Sequence, residues 1–341
     1  AQDEEAQIKN SPSHNKQDLQ SVRLWHESLD LSEIFNAYDI IYKYIEEPFS
    51  KDLLNTEVSW IYNTCKFLIN KLTNYKFSLT HFKGLSMSYI YYATAFLAKQ
   101  FEAYKTSRFS FEKLNSLQIP QNWKSKIELE ILVVRAKPYT DNDSQMPLCF
   151  RCLTSNPSIN ISGDKCTICG NHFIRSSLSY EILPLIEFFP DPELDYKKVK
   201  ELISTTTRGA YSNPAMVEAT GANNEGVVYF NNEQGKKDFE SNEDIFESKL
   251  IEFCEASAGK EDYGKFVLDS DTLLELREND VLVIDNTASC ETQPIRYFKN
   301  RMKDIFINMC KSCFRFFRNE EWENTLAKNN NCCPLCKNPA S

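Results

Sequence analysis

The chain has 341 residues, of which 42% are hydrophobic and 13% aromatic, enough apolar matter to bury real cores and to exclude wholesale disorder. Its formal net charge of −9 argues against nucleic-acid binding, which calls for a concentrated basic face. The sequence opens on no signal-like apolar core and holds no run of 18 apolar residues, so neither a secretory signal nor a membrane span is expected, and a start at Ala1 reads as part of something longer or as a processed product.

Residues 1–28 form a polar lead-in expected to be disordered. A helical pattern runs through 29–140. Ile34, Tyr38, Ile41, Tyr42 and Ile45 recur at three- and four-residue steps, and so do Val58, Ile61, Tyr62, Cys65, Leu68 and Leu72. A third run holds Leu85, Ser88, Tyr89, Tyr92, Ala93, Phe96 and Leu97; a fourth holds Phe101, Tyr104, Phe109, Phe111 and Leu114; Ile127, Leu129, Ile131, Leu132 and Val134 close the region. Pro48, Pro120 and Pro138 punctuate it. Five helices with short connections predict an array of helical hairpins, with Tyr89–Ile119 resembling one tetratricopeptide-type pair.

A first cysteine-rich module with a trailing helix is expected over 141–203: the helix is placed at about Ser179–Phe189, with another at Leu194–Ile203. Residues 204–243 turn to Ser, Thr, Asn, Gly and Glu and read as a disordered insert or linker, with 227–230 as its strand-like word. Over 244–341 we expect three or four short strands between Ile245 and Ile284, then a second cysteine module. The fold class is thus mainly α: a tetratricopeptide-like helical array followed by two four-cysteine zinc-ribbon-like modules with a small β-rich segment between them.

Twelve cysteines are present, and random placement would give roughly 0.4 pairs spaced i, i+3. Four pairs occur: Cys149 with Cys152, Cys166 with Cys169, Cys310 with Cys313, and Cys333 with Cys336. Two intervening residues allow a tight turn that aims both sulfurs at one centre, so two such turns complete a tetrahedron. Thirteen residues separate the first two pairs and nineteen the last two, close to the usual range for four-cysteine sites. These eight residues are therefore the expected ligands of two structural zinc ions. Four thiolates leave no open coordination position for water, so a catalytic metal is not expected. Disulfides and a catalytic dithiol fit four pairs in two clusters less well. Cys332 reads as a spare beside Cys333, and His172 as a bystander. Cys65, Cys254 and Cys290 read as ordinary small hydrophobes. Phe314, Phe316, Phe317, Trp322 and Leu326 are expected to pack over the second metal, and Arg301, Lys303, Lys311, Arg315 and Arg318 to neutralise nearby thiolates.

The sequence has no Gly-rich phosphate loop, no H-E-x-x-H and no G-x-S-x-G, so no enzyme is expected. The cysteine pairs sit in more specific words. These are Arg135-Ala136-Lys137-Pro138, Pro147-Leu148-Cys149-Phe150-Arg151-Cys152, Asn156-Pro157 and Phe173-Ile174. Ser179-Tyr180-Glu181, Leu183 and Glu187-Phe188 continue the series, as do Met309-Cys310-x-Ser312-Cys313-Phe314 and Cys332-Cys333-Pro334-x-Cys336. Together they resemble the C-terminal part of the 122-kilodalton subunit family of intraflagellar transport complex A, over about 30–203 and 244–337. The resemblance implies a scaffold role in retrograde transport and in entry of membrane cargo into the cilium. It implies other complex A subunits as partners, with membrane-cargo adaptors beside them, and a place at the axoneme, the ciliary base and the cytoplasm. The stretch 204–243 departs from that family's pattern. A vesicle-coat or tethering subunit and a zinc-ribbon ubiquitin ligase are the alternative readings.

Overall fold

The computed structural model describes residues 16–54, 56–73, 84–209, 244–260, 263–276, 280–285 and 295–339. It divides into two compact units. The first comprises Ala1–Ile186, Ile284–Ile295 and Asn300–Ser341, and the second Glu187–Val283 with Arg296–Lys299. No helix among the described residues is long and apolar enough to cross a membrane.

The first unit opens with helices α1 (Lys16–Glu46), α2 (Val58–Thr73), α3 (Met87–Gln100), α4 (Tyr104–Asn115) and α5 (Gln121–Arg135). The three- and four-residue steps become the core. Ile34, Ala37 and Ile41 of α1 meet Ile61, Cys65, Leu68 and Ile69 of α2 and Ile90, Ala93, Leu97 and Ala98 of α3, all at most 2% exposed. Helix α2 is buried on nearly every face, including Thr64, Lys66 and Asn70. The turn Phe101–Ala103 joins α3 to α4 and makes them close neighbours. Small Ala95 lets α4 approach until the Ser107 hydroxyl donates to the Ala95 carbonyl at 2.8 Å. Asp141 accepts from the Thr106 N–H at 2.9 Å and so satisfies a donor in the first turn of α4. At the end of α5 the Arg108 guanidinium donates to the carbonyls of Val134 and Arg135, both at 3.1 Å.

The helices hold the first cysteine module through polar contacts as well as apolar ones. Asn70, 1% exposed, donates to the Ser158 carbonyl at 3.2 Å and accepts from the Asn160 N–H at 2.9 Å. Asn70→Ala strands both buried groups, and we expect a loss of about 3 kcal/mol in chemical denaturation at unchanged zinc content. A loss within error of zero would show that these groups find other partners.

The second unit carries a sheet of order β2-β1-β4-β3, with β1 (Leu185–Pro190), β2 (Val267–Leu268), β3 (Val281–Ile284) and β4 (Arg296–Asn300). Strands β1 and β2 pair in parallel, Phe189 opposite Val267. Helices α6 (Tyr196–Gly209), α7 (Ile245–Ala256) and α8 (Ser270–Glu275) complete it, α8 packing on α6 and α7. Its core is aromatic: Phe246 meets Phe188 and Phe266 edge-on at 6.2 and 5.4 Å, and Phe188 lies 5.6 Å from Tyr297. The chain then returns to the first unit with the antiparallel pair β5 (Ile307–Met309) and β6 (Phe316–Arg318), followed by α9 (Asn319–Lys328).

Four sequence expectations change here. Helix α1 starts at Lys16, inside the stretch expected to be a disordered lead-in. The helix expected over Ser179–Phe189 is a tight turn followed by β1, because Pro184 lacks an N–H and Leu185, Ile186 and Phe188 enter a buried strand. The helix expected at Leu194–Ile203 spans Tyr196–Gly209, carrying on into the stretch expected to be insert. The segment expected to form strands from Ile245 begins with α7, whose N-cap Asp244 accepts from the Phe246 N–H at 3.2 Å and whose buried Phe246 and Leu250 lie four apart. Residues 210–243, with the word at 227–230, and Cys290 lie outside the described residues.

Candidate metal centres

Four cysteine turns in the first unit share one hydrogen-bond plan. In each, the N–H of the fifth residue donates to the carbonyl of the first cysteine: Leu153 to Cys149 at 2.8 Å, Gly170 to Cys166 at 3.1 Å, Phe314 to Cys310 at 2.8 Å and Lys337 to Cys333 at 3.0 Å. The first cysteine's own N–H donates to the sixth residue, Thr154, Asn171, Arg315 or Asn338, at 2.8–3.0 Å. The fifth residue must then take a left-handed backbone, with φ of 56°, 68°, 55° and 61° in the four turns. Only Gly170 adopts that conformation freely; Leu153, Phe314 and Lys337 carry local strain. This geometry turns both sulfurs of each pair inward.

The structure brings Cys149, Cys152, Cys166 and Cys169 into one group and Cys310, Cys313, Cys333 and Cys336 into another, with the sulfurs of each group within 4.8 Å of one another. The cross-pair Sγ–Sγ distances are 3.6 Å for Cys149–Cys169 and Cys152–Cys166, 3.7 Å for Cys310–Cys336 and 3.8 Å for Cys313–Cys333. A tetrahedron with zinc–sulfur bonds of about 2.3 Å has edges of about 3.8 Å. A disulfide would need about 2.0 Å. The two groups therefore fit two structural zinc ions, each closed by four sulfurs.

Hydrogen bonding with Cys149 holds Cys152 down at about 6 and Cys166 well below the usual thiol range, and raises Cys169; the bond with Cys152 raises Cys149. Four thiols this close share a proton deficit unevenly, and a dication at their centre favours all four as thiolates. The Ile168 N–H also donates to the Cys166 sulfur at 3.4 Å.

The residues set aside in the sequence stay outside both groups. Cys332 directs its thiol at the Asn330 carbonyl, 3.7 Å away, and His172 joins neither cluster. Cys65 is buried in the helical core, where desolvation raises its thiol to about 12. Around the second centre the Phe317 and Trp322 rings meet at a tilt with centroids 4.8 Å apart, and pack with Leu335 on Cys310 and Cys333. Arg315 and Arg318 pair with Glu33 at 3.2 Å and Glu181 at 2.7 Å rather than with thiolates.

Sequence reasoning missed a fifth turn of the same build. Ser176-Ser177-Leu178-Ser179-Tyr180 repeats both hydrogen bonds, Tyr180 N–H to Ser176 carbonyl at 3.1 Å and Ser176 N–H to Glu181 carbonyl at 2.9 Å, with Tyr180 at φ 53°. Serines stand where the other turns carry cysteines. In place of a metal the turn meets a carboxylate: the Ser176 hydroxyl donates to Glu321 of α9, which is 3% exposed. The Ser177 N–H donates to the Phe316 carbonyl at 2.9 Å, and Leu178 packs on the second cysteine cluster. Tyr180 stacks on Phe67 of α2 at 4.7 Å. This turn joins the helices to both cysteine modules. Its only signal in the sequence is a Ser-x-x-Ser spacing, which is uninformative by itself.

Comparison with known proteins locates the same two modules. The family model "IFT122, zinc ribbon domain" matches residues 142–186, and "IFT122, C-terminal zinc ribbon domain" matches 305–341. The intraflagellar transport protein 122 homolog of Danio rerio is 32% identical over 97% of this chain and 26% of its own length. The homologs of Mus musculus and Homo sapiens are each 31% identical, over 92% and 90% of this chain and 25% and 23% of their own. The chain therefore spans about a quarter of the length of the curated relatives it matches. With both zinc ribbons in place and similarity running through the helices between and before them, the chain belongs to the intraflagellar transport protein 122 family.

Proposed function

We propose that the chain is a non-enzymatic scaffold segment of intraflagellar transport complex A, acting in retrograde transport and in the entry of membrane cargo into cilia. Its partners are then other complex A subunits together with membrane-cargo adaptors, and its place is the axoneme, the ciliary base and the cytoplasm. The observation that carries this reading is the pair of closed four-sulfur centres in a chain similar to transport proteins along nearly its whole length. A metal enclosed by four sulfurs offers a substrate no open position, so its contribution is rigidity where the polypeptide core is small. Packed helical hairpins beside it offer extended surface to partners.

The test is affinity purification of the full protein from ciliated cells, as wild type and as Cys310→Ser, Cys313→Ser. The wild type is expected to bring complex A subunits with it, and the variant to lose most of them. Unchanged co-purification would remove the second ribbon from assembly. Wild-type recovery of coat or tether subunits instead would favour that alternative, and self-ubiquitination with a charged conjugating enzyme would favour a ligase.

A further inference from the structure

A cavity of about 480 Å³ opens where the start of α2, the first cysteine module and α9 meet, all within the first unit. Two oppositely charged side chains in its wall are almost fully buried, Glu321 at 3% and Lys66 at 6% exposed, and they do not pair with each other. The serine turn engages one oxygen of Glu321, while Oε1 has no hydrogen-bond partner. Lys66 donates to the Gln145 carbonyl at 3.0 Å and lies over the Tyr62 ring, and it forms no ion pair among the described residues. Burial raises the Glu321 carboxyl, against the hydrogen bonds of Ser176 and Ser179 and the charge of Arg318, and burial lowers the Lys66 ammonium to about 7.

The remaining charges decide what the cavity would accept. Arg175 and Arg318 also line it, but each already holds a carboxylate, Asp164 and Glu181. Glu57 accepts only the Ser59 hydroxyl, and Glu320 has no basic partner among the described residues. Glu57, Glu320 and Glu321 thus form no ion pair among the described residues, and of the three cations in the lining Lys66 is the one that holds no carboxylate. Trp60 also lines the cavity. A planar cation with several N–H donors suits an acceptor-rich, aromatic-lined pocket better than a compact ammonium does.

We propose that this cavity takes an arginine side chain of a partner protein, the guanidinium donating to Glu321 Oε1 and the partner's backbone carbonyl accepting from Lys66. The cavity is lined by none of the eight zinc-ligand cysteines, and the proposal stands whether or not the transport reading does. The probes are acetyl-Gly-Arg-Gly-amide and its citrulline counterpart, which is nearly isosteric and uncharged. The readout is the Trp60 indole N–H resonance of the zinc-loaded full chain, assigned with Trp60→Phe. The arginine peptide is expected to shift it saturably, and the citrulline peptide to bind about tenfold more weakly or less. Glu321→Gln should weaken the arginine peptide by about tenfold, and Glu320→Gln, at the exposed rim, by about threefold. The rim variant keeps the test decisive should the buried one fail to fold. Equal binding of the two peptides, no saturable shift, or arginine binding unchanged in both variants would overturn the proposal.

Discussion

Cys333→Ala is expected to halve the zinc content of the chain, from two ions to one, and to unfold the second ribbon while the first keeps its metal. Cys333 is fully buried and supplies one corner of its tetrahedron. It also anchors the small cluster of Phe317, Trp322 and Leu335. A structural zinc contributes on the order of 10 kcal/mol in small ribbons. The apolar cluster beside it is too small to replace that term. Loss of a ligand opens the coordination sphere to water, and the metal is then held by three thiolates at best. The unfolded segment should free Trp322 from Phe317, seen as a red shift in emission, and release the Glu321 carboxylate from Ser176. Elemental analysis beside thermal unfolding checks both. The matched variant Cys166→Ala should empty the first centre by the same logic. Acid acts likewise on both centres, because protons compete with zinc for thiolates and weaken binding as the pH falls. Retention of two ions by Cys333→Ala, with an unaltered transition, would mean that Cys332 or another group substitutes.

What the sequence discloses follows the range of the physics involved. The cysteine turns are legible because each is a local device: two sulfurs, two intervening residues and a left-handed fifth residue all lie within one short word. Helices α2 to α5 are legible because repeated apolar steps such as Ile61, Cys65, Leu68 and Leu72 mark one face regardless of what covers it. The stretch 179–189 misleads because Leu183, Leu185, Ile186 and Phe188 form a short apolar run whose period does not separate helix from strand. Their neighbour in the sheet, β2, lies far along the chain at Val267–Leu268. Helix α7 is lost in a segment where Phe266, Val281 and Val283 suggest strands, although its own Phe246 and Leu250 stand four apart. The serine turn is invisible for a stronger reason. Its meaning depends on Glu321, 145 residues away, and no local pattern announces that a carboxylate will occupy the place a metal takes elsewhere.

Arg175→Met should destabilise the first unit by about 3–5 kcal/mol, the cost of leaving one partner of a buried ion pair uncompensated. The Arg175 side chain is 6% exposed and that of Asp164 is 11% exposed, with Nη2 and Oδ1 2.7 Å apart. Nε donates to both oxygens of the same carboxylate at 3.1 and 2.9 Å, and Nη1 donates to the Tyr180 carbonyl at 2.6 Å. Asp164 belongs to the loop between the two turns of the first centre, Tyr180 to the serine turn, and Phe67, whose ring lies 5.8 Å below the guanidinium, to α2. One side chain thus fixes three segments that share no backbone ladder. Methionine keeps much of the volume but neither the charge nor the fork, so the apolar packing survives and the polar contacts do not. A second substitution separates the two effects: Asp164→Leu on the Arg175→Met background removes the stranded carboxylate and should recover part of the loss. The cycle is read in urea denaturation of the zinc-loaded chain. Were Arg175→Met to cost under about 1 kcal/mol, the range of an exposed pair, the three segments would have to be held by their apolar contacts alone, with Phe67 and Tyr180 as the remaining link.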